Sequence, residues 1–292
     1  MLIRCLALLF CCGLQAKPQL IWLHTDWPPH QIVSGPFQGQ GTFDLLQQQL
    51  KAAMPQFEHQ QRLVSLARLE QMFQQQDETV CTIGTLYSAE RAQTRLFSEP
   101  IAVGAALAVG YLPGKLTLHP SMQKEGVNIA ELAQDGSLIG AYQANRLYPA
   151  QMQQLLQQGG SNLSSQAFTS ELNAAALLGS NRVDYVIEYP ERMQYYSHLL
   201  AQPVVLEYRA IAGANVASVT HVACTFGEVG EAAIAAVNRA LPALWQSPAY
   251  LEAMLRWLDD SSRQRLQPDV AAQQAALVQL QPGSDNTVDA RD

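Results

Sequence analysis

The stretch Gly84–Pro100 reads GTLYSAERAQTRLFSEP. It is entered from Val80-Cys81-Thr82-Ile83, a short apolar run that reads as a buried strand and is stopped at Gly84. It is left through Ile101–Val109, the longest apolar run beyond the N-terminus, which is far too short to cross a bilayer. Between the two runs the chain is polar and carries two arginines, Arg91 and Arg95.

Outward toward the N-terminus, Leu20-Ile21-Trp22-Leu23 reads as a second buried strand, and Thr25-Asp26-Trp27-Pro28-Pro29-His30 ends it, because two prolines do not continue a central strand. Phe43, Leu46, Leu50 and Ala53 fall on one helical face after Gly39-Gln40-Gly41. A second helix is predicted over about 65–75, with Leu66, Leu69, Met72 and Phe73 inward. This first part is strand–helix–helix–strand, an α/β pattern. Toward the C-terminus the alternation continues: a strand at Leu138–Tyr142, a helix after Pro149, an alanine-rich helix at Leu172–Leu178, strands at Val183–Ile187 and Val204–Leu206. Two closing helices follow, Glu231–Leu244 and one with Ser247 as N-cap and Pro248 at its first position. After Asp260 the apolar period fades, so residues 261–292 read as a mobile tail in which Val270–Leu280 could form a loose helix.

The composition narrows the class. The chain has 292 residues, 48% of them apolar and 15% charged, with a net charge of −7. That much apolar area excludes disorder as the main state, and the acidic balance makes a nucleic-acid partner a poor expectation. The length fits one large domain or two smaller ones. The opening MLIRCLALLFCCGLQA has one cation, a short apolar run and a small residue at its end, the layout of a secretory signal peptide cleaved near Ala16. Phe10 before Cys11 argues against a lipoprotein anchor. An exported, periplasmic protein is expected, with secretion as the alternative.

Four blocks, taken in order, resemble the type II periplasmic solute-binding proteins, closest to the extracellular solute-binding family 3 that takes polar amino acids. They are Trp27-Pro28-Pro29 followed by Gly41–Leu46; Arg91 six residues before Phe97-Ser98-Glu99-Pro100; Asn181–Val186; and Val237–Leu241 through Tyr250-Leu251 to Trp257-Leu258. The resemblance implies an α/β, two-lobed clamshell with two hinge crossovers. Lobe one would be 17–110 plus 211–260, lobe two 111–210 and the tail 261–292. It also implies a small polar or anionic, amino-acid-like solute in the interlobe cleft, a monomer, and an inner-membrane ABC permease as partner. A receptor serving a membrane sensor, or an enzyme of the dehydratase or transglycosylase kind on the same fold, are the alternatives. No cofactor or metal is implied: no P-loop, nucleophile elbow or dinucleotide fingerprint is present, and the six histidines show no ligand spacing.

The resemblance assigns candidate residues. Arg91 would take a carboxylate on its planar fork of donors, with a surface arginine as the other reading. Trp27 would be the aromatic wall over the ligand or a core ring. Gly84 would let the backbone approach the ligand, with Thr85 beside it, while Leu86 stands where the family has a hydroxyl. Arg68 would add a second cation. Asn145 and Arg146 would sit before a helix as an anion site. Tyr189 occupies the slot of the family's ammonium-holding acid, with Glu188 one residue earlier, facing the cleft only through a bulge. Asp184 would pin the strand rather than touch ligand. His24 and Asp26 could form an acid–base pair, or simply end a strand. After cleavage only Cys81 and Cys224 remain, and the implied lobe map puts both in lobe one; a disulfide is expected there, with two buried thiols as the alternative.

Overall fold

The computed structural model describes residues 16–143, 148–166, 174–214 and 217–279. The chain begins with β1 (Gln19–His24), α1 (Thr42–Ala53), β2 (Glu58–Leu63), α2 (Leu66–Gln75), β3 (Val80–Leu86) and β4 (Leu96–Gly104). Next come β5 (Ala108–Tyr111), β6 (Met122–Gln123), β7 (Gly126–Val127), α3 (Ile129–Gln134), β8 (Gly140–Gln143), α4 (Ala150–Gln158), β9 (Leu163–Gln166), α5 (Ala174–Gly179), β10 (Tyr185–Glu188), α6 (Pro190–His198) and β11 (Glu207–Ala210). It closes with β12 (Ser218–Cys224), α7 (Glu228–Trp245), α8 (Pro248–Leu255) and α9 (Asp260–Gln279).

Two five-stranded sheets result, ordered β2-β1-β3-β12-β4 and β11-β5-β10-β8-β9. In the first, β1 lies parallel between β2 and β3, and the late strand β12 inserts antiparallel between β3 and β4. In the second, β10, β8 and β9 are parallel and β5 is antiparallel to β10 and β11. Each sheet is the centre of one lobe. The chain crosses between them after β4 and again after β11. The outward crossing comes earlier than the expected changeover at Tyr111, because β5, from Ala108 on, already pairs in the second sheet.

The local reasons are visible in the side chains. Leu20, Trp22 and Leu23 are buried, as a strand covered on both faces requires. α1 buries Phe43, Leu46 and Leu50, and Asp44 Oδ2 accepts from Gly41 N (3.0 Å) and Ile32 N (2.9 Å), which anchors its first turn to the preceding loop. β2 was not foreseen. Its sequence, EHQQRL, is polar because it is an edge strand paired only to β1 and largely exposed. The strand expected at Val204–Leu206 instead forms three residues later, as β11.

The tail expectation is overturned over its described part. α9 spans Asp260–Gln279 and buries Leu266, Val270 and Leu277 in the core of lobe one. The apolar residues are sparse but share one face, and Gln274 Nε2 donates to Trp245 O at 2.7 Å. Residues 280–292 lie outside the described residues. The lobe-one core is further tied by Trp245 Nε1 donating to Pro100 O (2.9 Å) and Tyr250 Oη to Ile101 O (2.8 Å). Cys81 and Cys224 face each other across β3 and β12 and form a disulfide, Cα atoms 4.1 Å apart. Among the described residues no helix is long and apolar enough to cross a membrane.

Candidate functional site

The parallel strands β2, β1 and β3 point their C-terminal ends at one place, and crevices at such ends are where α/β sheets bind ligands. There the loop after β1, the start of α2 and the end of β3 enclose a cavity of about 850 Å³. Its walls include Asp26, Trp27, Gln31, Gly84, Thr85 and Arg91.

Each wall residue is held for a local reason. Gly84 sits at φ +87°, and a Cβ there would stand 2.1 Å from the Phe43 ring. Glycine is thus demanded by backbone conformation and by Phe43 packing against the strand. Arg91 begins a short 3₁₀ turn after Ser88, whose Oγ accepts its backbone N–H, and its Nη1 donates to Leu86 O at 3.1 Å. That contact uses one edge of the guanidinium. Gln31 is buried, and its Oε1 accepts from Thr25 N (3.1 Å) and Thr25 Oγ1 (3.2 Å), which fixes the amide's orientation. Its Nε2 is buried without a hydrogen-bond partner among the described residues, and Gln31 borders the same cavity. Trp27 is 38% exposed rather than a core ring. Its indole packs on His30 (centroids 4.7 Å apart) and Phe43 (6.0 Å).

The sequence expectations divide. Trp27, Gly84, Thr85 and Arg91 come together on this cavity. Arg68 does not: it lies on the exposed side of the first turn of α2, and its Nη1 donates along its own helix to Gln71 (2.9 Å) and Gln75 (3.4 Å). The second arginine on the wall is Arg95, buried, paired with Glu70 at 2.5 Å and stacked 4.2 Å over Phe73. Asn145 and Arg146 lie outside the described residues. β10 keeps unbroken register against β5 and β8, so no bulge turns Glu188 outward. Glu188 is fully buried, accepting from Tyr189 N (2.8 Å) with Arg192 Nε 3.5 Å away. Asp184 Oδ2 accepts from Ile139 N (2.7 Å), and its other oxygen meets Lys115 Nζ at 2.9 Å, a strand-pinning role. His24 turns to Gln47 (2.6 Å) and Asp44 rather than to Asp26. Gln31 and Arg95 were missed; Gln31 is one glutamine among many in the sequence, and its fixed amide exists only once the loop folds.

Lobe two closes on this region through α6. Tyr189 at its N-terminus, with Glu191 and Arg192, borders a second, smaller cavity of about 200 Å³. Lobe one supplies the remaining walls, among them Phe43, Val103, Met254, Trp257 and Leu258. Trp27 and Leu86 border both cavities. Arg192 Nη1 donates to Pro28 O at 3.3 Å, from lobe two to lobe one. One turn on, Tyr195 and His198 meet Phe37 and Trp257 edge-on at 5.2–6.4 Å. His30, on the smaller cavity, is held neutral: burial, then the Arg192 charge, push it down to about 3. Among the described residues no group of three or more His, Cys, Asp or Glu is placed to hold a metal.

No family model matches the chain, and no curated protein matches its sequence. Solved structures do match its fold. A "probable amino-acid ABC transporter extracellular-binding protein" from Bacillus subtilis is 14% identical, covers 85% of this chain and 100% of its own, and superposes with a TM-score of 0.62. An ancestral cationic amino-acid solute-binding protein is 14% identical over 83% of this chain and 96% of its own, TM-score 0.60. A histidine-kinase sensor domain with similarity to periplasmic binding proteins is 16% identical over 83% and 96%, TM-score 0.53. With two five-stranded lobes, two crossings and a cleft between, this chain has the two-lobed clamshell fold of the periplasmic binding proteins.

Proposed function

We propose that the protein is an exported solute-binding protein that captures a small, amino-acid-like carboxylate between its lobes and presents it to an ABC permease. The observation that carries this reading is Arg91 and Gln31 lining one open crevice at the strand ends of lobe one. Arg91 offers a charged fork and Gln31 a buried amide donor with no hydrogen-bond partner among the described residues, the pair of donors that a carboxylate accepts from. The Cys81–Cys224 disulfide supports an oxidising compartment, as does the signal-like N-terminus. Arg95 on the same wall is engaged by Glu70 and Phe73, which leaves Arg91 as the arginine with donors to offer a ligand. The sensor-domain neighbour favours a second reading, in which closure is read by a membrane sensor instead of a permease.

A thermal-shift screen of amino acids, di-acids and short peptides tests binding; a solute at 100 times its dissociation constant raises stability by about 2.7 kcal/mol. Arg91→Lys keeps the charge and loses the fork, so affinity should fall by about ten- to a hundredfold, the equivalent of about 1.5–3 kcal/mol, while the melting midpoint of the free protein stays put. Unchanged affinity in Arg91→Ala would remove the reading.

A further inference from the structure

The smaller cavity bears on what kind of body the solute has. Arg91 reaches the carbonyl of Leu86, and the Leu86 side chain, with Trp27, divides the two cavities. A carboxylate taken by Arg91 therefore stands beside that divide. Beyond it lie Phe43, Val103, Met254, Trp257 and Leu258, a wall made mainly of carbon. Glu191 and Arg192 border it with opposite charges, and His30 borders it neutral, so the wall as a whole favours no net charge.

A second observation points the same way. Four large apolar side chains on the Arg91 cavity face solvent: Trp27 at 38%, Leu63 at 61%, Leu66 at 65% and Leu86 at 48%. Single exposed leucines are ordinary, but four gathered on one rim mark a surface that awaits apolar contact. An apolar cavity of roughly 150 Å³ accepts a benzene molecule; this one, at about 200 Å³, has room for a phenyl ring on a short linker or a branched alkyl chain.

We propose that the solute is a carboxylate bearing a bulky apolar group, its carboxylate on Arg91 and Gln31 and its aryl or branched-alkyl body passing Trp27 and Leu86 into the smaller cavity. The proposal rests on the binding reading above. Ser218 borders the smaller cavity and not the larger, so Ser218→Phe fills the proposed compartment, and Ser218→Leu fills it less should the larger ring disturb folding.

Calorimetric titration of the purified protein compares L-phenylalanine, L-leucine and phenylacetate with glycine, acetate and L-glutamate, in the parent, in both Ser218 variants and in Arg91→Ala. Each buried methylene multiplies affinity about fourfold. At least one apolar acid should thus bind ten or more times tighter than every small or polar one, with a negative heat-capacity change. Ser218→Phe, or Ser218→Leu where the first does not melt cooperatively, should remove at least tenfold of that affinity. If glycine, acetate or glutamate binds as tightly as the apolar acids, or the folded Ser218 variant keeps phenyl affinity within twofold, the proposal is overturned while Arg91-dependent carboxylate binding stands. If no carboxylate binds, or Arg91→Ala changes none of the affinities, the binding reading falls and the proposal with it.

Discussion

The two lobes share a five-stranded plan and are secured by different means. Lobe one joins the early strands to β12, which arrives after the whole of lobe two, and it locks that junction with the Cys81–Cys224 disulfide at a separation of 143 residues. Its sheet separates a large core, running from Leu20 to Leu277, from a smaller cluster that α2 contributes with Leu69, Met72 and Phe73. Lobe two is contiguous in the chain, and its sheet separates two smaller apolar clusters, one of them built partly from alanines of α5 and β8. No disulfide ties its described residues. The difference teaches which half serves as the anchor: the crevice with Arg91 is built on the cross-linked lobe, and lobe two meets lobe one beside it, at the smaller cavity, through Glu191 and Arg192 of α6.

Four measurements break or sharpen this contrast. The largest effect is expected from the disulfide. Closing a loop of 143 residues is worth roughly 5 kcal/mol on the chain-entropy model, less any native strain. Cys81→Ala/Cys224→Ala should lower the denaturant midpoint steeply, and hydrogen exchange should show β3 and β12 losing protection before β10 and β8. Equal loss in both lobes would mean that they unfold as one unit.

Leu266→Ala comes next. It removes a buried side chain that α9 inserts into lobe one, a change of about 3 kcal/mol for a large-to-small core substitution. Chemical unfolding should register it fully; a change under about 0.5 kcal/mol would return α9 to the status of a loosely held tail.

The interface supplies the pH-dependent term. His30 titrates near 3 when folded and at 6.5 when unfolded, with Arg192 the charge that faces it. Between these values the unfolded chain holds a proton that the folded chain refuses. Stability is therefore complete above about pH 6.5 and declines as pH falls toward 3, by at most about 1.4 kcal/mol per unit for one site. His24, also lowered by burial, adds in the same direction. Urea midpoints at pH 7.5, 6 and 5 should trace the slope, and His30→Phe, which keeps the ring between Trp27 and Phe43, should flatten it. An unaltered slope would place the acid sensitivity elsewhere.

The smallest effect concerns how the lobes meet. Phe37 lies edge-on to Tyr195 and His198 of lobe two, contacts worth about 1 kcal/mol for an aromatic cluster of this geometry. Phe37→Leu should loosen the lobes against each other, read as a larger radius of gyration by small-angle scattering of the ligand-free protein. An unchanged radius would assign the lobe arrangement to the Arg192–Pro28 contact instead.

Much of this molecule was readable in the sequence, because local patterning carries local structure. The apolar run Leu20–Leu23, the helical face of Phe43, Leu46 and Leu50, and the Ser247-Pro248 helix start were all found where the pattern put them. The Cys81–Cys224 bond was expected from the two cysteines left after cleavage together with the lobe map that the resemblance implies, and the α/β class from alternation. What escaped was whatever depends on a neighbour distant in the chain. The polar strand β2 exists because β1 offers it an edge. α9 is a helix held in place because lobe one presents a groove to its few apolar residues. Arg68 carries the same charge as Arg91, and only the facing of its turn removes it from the crevice. Gln31 became a candidate through Thr25, which fixes its amide, and Glu188 lost its candidacy to Tyr189 N and Arg192. Sequence alone determined the locally patterned elements, among them β1, α1 and α8, and left two cysteines to pair, since periodicity and cysteine number act through the residues themselves. Which donors face the crevice, and which apolar walls stand beside them, was decided only when strands far apart in the chain were brought side by side.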